Sequence, residues 1–243
     1  MVRSVRIYQP GNYGVGDTLE LNHEAGQHVG VVLRMREGDT ITLFSGNNWE
    51  FEAKLVSVRK NRVSVTLLAG HEVNRESPRS IHLAQGISKG DRMETVVQKA
   101  VELGVASITP VITARCAVKL DKERMQKKCA QWQSIAIAAC EQSGRNLVPV
   151  IHPVLSLAEY LKTSLPALKF VLYPNAGKSW RDYEFVSTDM GLLIGPEGGL
   201  SPEEITLLFA HHFTPLSLGP RVLRTETAAL VALSVLQAVC GDL

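Results

Sequence analysis

The stretch Leu192-Leu193-Ile194-Gly195-Pro196-Glu197-Gly198-Gly199-Leu200-Ser201-Pro202-Glu203-Glu204 decides the fold. Three apolar residues in a row read as a buried strand. Gly195, Gly198 and Gly199 then let the backbone come close to a ligand, and Ser201, Pro202 and Glu204 are the residue types of a capped helix start. Strand, glycine loop and helix in succession make a βα unit, which predicts an α/β domain with a largely parallel sheet, helices on both faces and ligands beyond the carboxyl ends of the strands.

Working outward, Phe170-Val171-Leu172-Tyr173 and Leu216-Ser217-Leu218 predict neighbouring strands, with Ser156 and Thr225 as further helix caps. Ile81-His82-Leu83-Ala84-Gln85 predicts another strand, and Gly90-Asp91 opens a helix in which Asp91 and Glu94 have capping-box spacing. Met93, Val96, Val97, Ala100 and Val101 are the apolar stripe of that helix, and Gly104 ends it. Val105 to Ile112 predicts the next strand, and Asp121 to Ser143 a long helix that Gly144 stops. The last helix, around Ala228 to Leu236, is apolar nearly all round, so it must be buried within the domain or against a second copy.

The pattern before residue 75 is different. Thr40 to Phe44 and Trp49 to Leu55 alternate with period two around the turn Ser45–Asn48, and Asn61-Arg62 separates two further alternating runs. A short helix fits between Glu24 and Leu33. This predicts a small β-barrel at residues 1–74, of a kind often used as a nucleic-acid platform. The polar run His71 to Pro78 marks the boundary with residues 75–243.

Charge is unevenly distributed over the 243 residues. The net charge is +2, but residues 75–150 carry 12 basic and 7 acidic groups. Lys89, Arg92, Lys99, Arg115, Lys119 and Arg145 are among the basic ones, an excess that suits a polyanion or a solvated helix face equally. No segment resembles a signal peptide or a membrane span, so a cytoplasmic protein with no membrane partner is expected. Cys116, Cys129, Cys140 and Cys240 have no CxxC spacing, and His211 and His212, adjacent on a helix, would chelate poorly; no metal is expected.

Two loops stand out as chemical: Gly195–Gly199, and Gly219-Pro220-Arg221-Val222-Leu223-Arg224-Thr225-Glu226-Thr227. Neither has GxGxxG spacing, and Gly177-Lys178-Ser179 lacks the first glycine of a phosphate loop, which weakens dinucleotide and P-loop readings. Each loop alone could be a turn feeding a capped helix. Together with Ala138-Ala139-Cys140-Glu141-Gln142-Ser143-Gly144-Arg145, Glu102-Leu103-Gly104-Val105 and Ile108-Thr109-Pro110, however, they resemble the SPOUT methyltransferases, specifically the ribosomal RNA small subunit uracil-N3 methyltransferases, across essentially the whole chain.

That resemblance implies a PUA-like RNA-binding domain at 1–74, a SPOUT domain with a C-terminal trefoil knot at 75–243, a homodimer, S-adenosylmethionine as methyl donor, and 16S ribosomal RNA or the small subunit as partner. Donor contacts are expected from Leu172, Tyr173, Gly195, Glu197, Gly198, Gly199, Leu218, Gly219, Leu223, Thr225 and Ala228. RNA contacts are expected from Lys89, Arg92, Lys99, Arg115 and Arg145. Uracil N3–H is a weak acid, so the site needs a base or a cation beside the carbonyls; Arg224 and Glu197 are the catalytic candidates. Arg224 serves equally well as a partner for an acid, and Glu197 as a capping group. A non-catalytic RNA-binding protein and a ribose 2′-O-methyltransferase are the competing readings.

Overall fold

The computed structural model describes residues 5–117, 121–174, 176–185 and 187–243; Lys119 lies outside the described residues. The chain forms two compact units, Met1–Glu76 with Cys140–Val148, and Ser77–Ala139 with Pro149–Leu243.

In the first unit, β1 (Arg6–Tyr8), β2 (Thr18–Glu20), β3 (Thr40–Phe44), β4 (Trp49–Arg59) and β5 (Arg62–Glu72) form one sheet in the order β1-β3-β4-β5-β2. β1 runs parallel to β3, and the other pairings are antiparallel. The edge strands β1 and β2 do not pair with each other among the described residues. Period-two alternation sends Phe51, Ala53 and Leu55 of β4 and Val63, Val65 and Leu67 of β5 into the core, where Ala25 of α1 (His23–Gln27) and Val29 of the following π-helical turn cover them. The two runs expected on either side of Leu55 are one continuous strand, β4.

Glu50 is the ionic centre of this unit. Its carboxylate accepts from Arg6 at 2.8 Å, Arg75 at 2.9 Å and the Asn146 amide at 3.1 Å. Asn146 also accepts from Arg6 and donates to the Val73 carbonyl, and Glu141 accepts the Tyr8 N–H at 2.9 Å. Arg145 is buried and paired with Glu76. These bonds explain why Cys140–Val148 belongs with the strands of the first unit.

The second unit holds β6 (Ser80–Gly86), α2 (Arg92–Glu102), β7 (Ser107–Ile112), α3 (Lys122–Ser143), β8 (Val150–Ile151), β9 (Leu155–Ser156), α4 (Leu157–Tyr160), β10 (Leu168–Leu172), β11 (Asp189–Ile194), α5 (Pro202–Ala210), β12 (Thr214–Leu216) and α6 (Thr225–Cys240). The sheet order is β12-β10-β11-β6-β7-β8, with β9 also on β7, and every pairing is parallel. α3 begins in this unit, and Cys140–Ser143 at its end are grouped with the first unit.

The predicted stripe Met93, Val96, Val97, Ala100 and Val101 is the buried face of α2, which packs against α6. Ala84, Val111, Val171 and Leu193 of the sheet share another core with Leu157, Tyr160, Ile205 and Leu208. α6 buries Ala229, Ala232, Leu233 and Leu236 but leaves Leu230, Val231 and Val235 partly exposed.

Three local expectations are corrected. β12 ends at Leu216, so Ser217 and Leu218 belong to the loop beyond it. Asp91 precedes α2 without a side-chain capping bond, and Glu94 instead accepts from Gln131. The residue capping α6 is Arg224, and Thr225 is the first helical residue, its hydroxyl engaged elsewhere. The very short β8 and β9 carried no periodic signal. All four cysteines are free, and burial pushes the Cys140 thiol up to about 12.

Burial alone would raise the Glu50 pKa, but hydrogen bonds from Arg75, Arg6 and Asn146 prevail and lower it from 4.5 to about 2. A depressed carboxylate contributes stability that is complete above the unfolded value and is lost as pH falls through the folded one. Glu50→Gln should therefore cost the protein about 2 kcal/mol at pH 7. In urea unfolding, that difference from the unsubstituted chain should shrink between pH 4.5 and pH 2.

Candidate ligand site at the strand ends

Three loops leave the carboxyl ends of β10, β11 and β12. After β11 the chain turns tightly, with the Gly199 N–H donating to the Pro196 carbonyl at 2.8 Å. Gly199 has φ +68°, and a Cβ there would meet open space, so backbone conformation rather than crowding calls for glycine. Ser201 and Glu204 then form the predicted capping box, with Pro202 at the start of α5. After β10, Tyr173 donates its N–H to the Leu216 carbonyl, and Ser217 pairs with the Lys178–Ser179 stretch.

The loop after β12 returns to the middle of the sheet, where a chain of buried hydrogen bonds holds it. Gln85 Nε2 donates to the Thr225 hydroxyl at 2.9 Å, and that hydroxyl donates to the Gly195 carbonyl at 2.7 Å. Gly86, at the end of β6, lies so close to the same loop that a Cβ would come within 2.5 Å of the Pro196 nitrogen. Neither Gln85 nor Gly86 was among the candidate residues. A signal existed for Gln85: it is the polar residue ending an otherwise apolar run, Leu83-Ala84, and it is fully buried.

Together the loops enclose a cavity of about 630 Å³. Its wall includes Leu172, Tyr173, Gly195, Glu197, Gly199, Leu218, Gly219, Leu223, Thr225 and Ala228 from the expected donor set, with Arg224. Gly198 is the exception: it backs onto Arg115, whose guanidinium donates to the Gly198 carbonyl at 3.2 Å. Arg92, Arg221 and Glu226 also face the cavity. Sequence reasoning had placed Arg92 on RNA and had left Arg221 out.

The charged groups are unequally partnered. Glu197 Oε1 accepts from Arg92 at 2.6 Å and from the Lys89 backbone N–H at 2.9 Å. Burial works to raise its pKa, yet these bonds and its own backbone N–H bring it below the ordinary carboxylate value. Arg92 Nε lies 3.7 Å from Glu226 Oε1, and Glu226 Oε2 is buried without a hydrogen-bond partner among the described residues. Arg221 and Arg224 line the cavity with no ion-pair partner among the described residues.

Of the five expected RNA contacts, Lys89 through its backbone, Arg92 and Arg115 all bond the Glu197–Gly198 turn, Lys99 pairs with Glu102 on α2, and Arg145 is buried in the first unit against Glu76. No group of three or more His, Cys, Asp or Glu side chains among the described residues could hold a metal ion. No helix of the described residues is long and apolar enough to cross a membrane.

Residues 75–237 match the RNA methyltransferase domain family, and residues 21–68 match the RNA methyltransferase PUA domain family. The ribosomal RNA small subunit methyltransferase E of Buchnera aphidicola from Schizaphis graminum is 35% identical over 99% of this chain and 98% of its own length. That of Bacillus subtilis is 36% identical over 90% of this chain and 89% of its own. Among solved structures, the Neisseria gonorrhoeae ribosomal RNA small subunit methyltransferase E bound to S-adenosyl methionine superposes with TM-score 0.92 at 40% identity, over 99% of both chains. A Legionella pneumophila protein described as a methyltransferase, in complex with the cofactor SAM, gives TM-score 0.97 at 59% identity over the whole of both chains.

The Gly86 contact yields a direct test. Gly86→Ala must push the Gly195–Pro196 peptide away from β6, at a cost of about 1–3 kcal/mol for overpacking. The expected result is a lower melting temperature together with at least tenfold weaker binding of the cavity's ligand by calorimetry. Full affinity in a folded Gly86→Ala protein would show that the contact does not shape the cavity.

Proposed function

The chain belongs to the RNA methyltransferase family, and from that premise we infer that it transfers a methyl group from S-adenosylmethionine to N3 of a uridine in the 16S RNA of the small ribosomal subunit. The observation that carries this reading is the cavity itself. Its volume lies within the roughly 300–1,000 Å³ of small-molecule sites. Its apolar wall at Leu172, Leu218 and Leu223 suits a planar base, and close backbone at Gly195 and Gly199 suits the polar parts of a nucleoside. These residues, with Tyr173, Gly219, Thr225 and Ala228, would hold the donor.

When bound, the sulfonium supplies an electrophilic methyl group. The chain's own work is alignment and charge management. Arg224, exposed beside the cavity and without an acidic partner among the described residues, stabilises negative charge spreading over the uracil carbonyls. Glu197 is a brace: bonded to Lys89 and Arg92, it ties the glycine loop to the start of α2. Its lowered pKa makes it a poor proton acceptor.

The PUA-like N-terminal part binds RNA, and in the second unit Lys89, Lys99 and Arg115 are phosphate contacts. Arg92 instead serves the cavity through its pair with Glu197, and Arg145 is buried against Glu76. The return of the chain from the edge strand β12 to Gly195, past β10 and β11, supports a trefoil knot in this segment. The partly exposed apolar residues of α6, with Val239 at its end, support a homodimer. A cytoplasmic location follows from the 16S substrate.

The deciding experiment incubates the protein with labelled donor and small-subunit RNA or subunits, and identifies the nucleoside by mass spectrometry. N3-methyluridine is expected. A 2′-O-methyl product would overturn the chemistry, and RNA binding without transfer would favour the non-catalytic reading. Lys89→Ala removes a side chain but leaves the backbone N–H that holds Glu197. It should weaken RNA binding and lower its salt slope by about one counterion while donor affinity holds. Arg92→Ala should instead weaken donor binding.

A further inference from the structure

Two carboxylates face the cavity, and their surroundings differ. Glu197 is hydrogen-bonded on Oε1 from two sides and sits on the loop after β11. Glu226 stands in the first turn of α6, on the other loop that forms the cavity. Its nearest cation, Arg92, is 3.7 Å from Oε1, beyond hydrogen-bond length, and its Oε2 is buried with no donor among the described residues. A buried acceptor with nothing to accept is costly, and one kept at the wall of a ligand cavity is placed for a donor that arrives with the ligand. Arg92 reaches both carboxylates, so it fixes Glu226 to the same frame as Glu197 and the start of α2.

Building on the methyl-transfer reading above, we propose that Glu226 is the catalytic proton acceptor for uracil N3–H, and that Arg92 is its positioning residue. The N3 proton passes to the Glu226 carboxylate. The electron pair left on nitrogen forms the bond to the methyl carbon, and the carbon–sulfur pair stays with sulfur, which leaves as a neutral thioether. The proton on Glu226 is then lost to solvent. Arg92 holds Glu226 at the cavity wall before the transfer, and Arg224 shares the charge developing on the uracil.

The same oxygen could instead accept an N–H from the ammonium group of the methyl donor, and the test separates the two sources. Full-length Glu226→Gln, which preserves shape, is compared with the unsubstituted protein and with Glu197→Gln. Melting temperature, donor affinity by calorimetry, and single-turnover methylation of small-subunit RNA are followed from pH 6 to pH 10. The expected Glu226→Gln protein melts normally, binds donor within about twofold, and transfers roughly 10²–10⁴-fold more slowly at pH 7. Its deficit narrows as pH rises and the substrate nitrogen ionises unaided. Glu197→Gln keeps the unsubstituted pH profile. Glu226→Asp keeps a carboxylate and should recover part of the rate that Glu226→Gln loses. Arg92→Lys should recover much of the rate that Arg92→Ala loses.

A Glu226→Gln rate within a few fold of the unsubstituted one overturns the proposal. So does a large loss of donor affinity with the rate restored at saturating donor, which assigns the oxygen to the ammonium. Should Glu226→Gln not fold, Glu226→Ala takes its place, and a rate within a few fold of the unsubstituted one overturns the proposal equally. The product made by the unsubstituted protein tests the underlying reading separately: N3-methyluridine with an unaffected Glu226→Gln rate refutes only the base, whereas a 2′-O-methyl product refutes the reaction.

Discussion

The cavity at the strand ends depends on one hydroxyl. Thr225 accepts from Gln85 and donates to Gly195, so a single side chain joins the end of β6, the loop after β11 and the start of α6. Loops with this much glycine have no stiffness of their own. Their shape comes from what they are fastened to, and here the fastening is buried, where a hydrogen bond is protected from competing water. Gly86 completes it by letting two backbones meet without a side chain between them. A site whose supports are packed against the sheet is ready before its ligand arrives, which is the condition for alignment to contribute to rate.

Local chemistry made much of this architecture legible in the sequence. Alternation in β4 and β5, the stripe of α2 and the Ser201–Glu204 capping box are short-range signals, and each appears in the structure where its residues stand. Thr225 shows where such reading ends. As a residue type it predicts a helix cap, but its hydroxyl serves a carbonyl 30 positions away, and long-range pairing leaves no local trace. Arg145 fails as a surface charge for the same reason. A basic residue in a polar stretch reads as solvated until the fold supplies Glu76 as its partner.

The electrostatics of the cavity divide the labour between chemically identical groups. Glu197 and Glu226 are both glutamates beside Arg92, yet one accepts from two donors on a single oxygen and the other has a buried oxygen with no donor among the described residues. Environment, not residue type, separates two such carboxylates. Arg221 and Arg224 add positive charge to the same wall, which favours an anionic group in the cavity.

The grouping of Cys140–Val148 with Met1–Glu76 makes the first unit discontinuous along the chain, and this imposes an order in time. During synthesis the strands of that unit emerge early, but Arg6 and Glu50 wait for Asn146 before their network can close. The roughly 70 residues between Glu76 and Val148 take on the order of 4–14 s to translate. For that interval the nascent sheet has its apolar core and the direct pairs of Glu50 with Arg6 and Arg75, but not the amide that also bonds Arg6 and Glu50. The first unit is thus completed only when most of the second unit's first half has already been made.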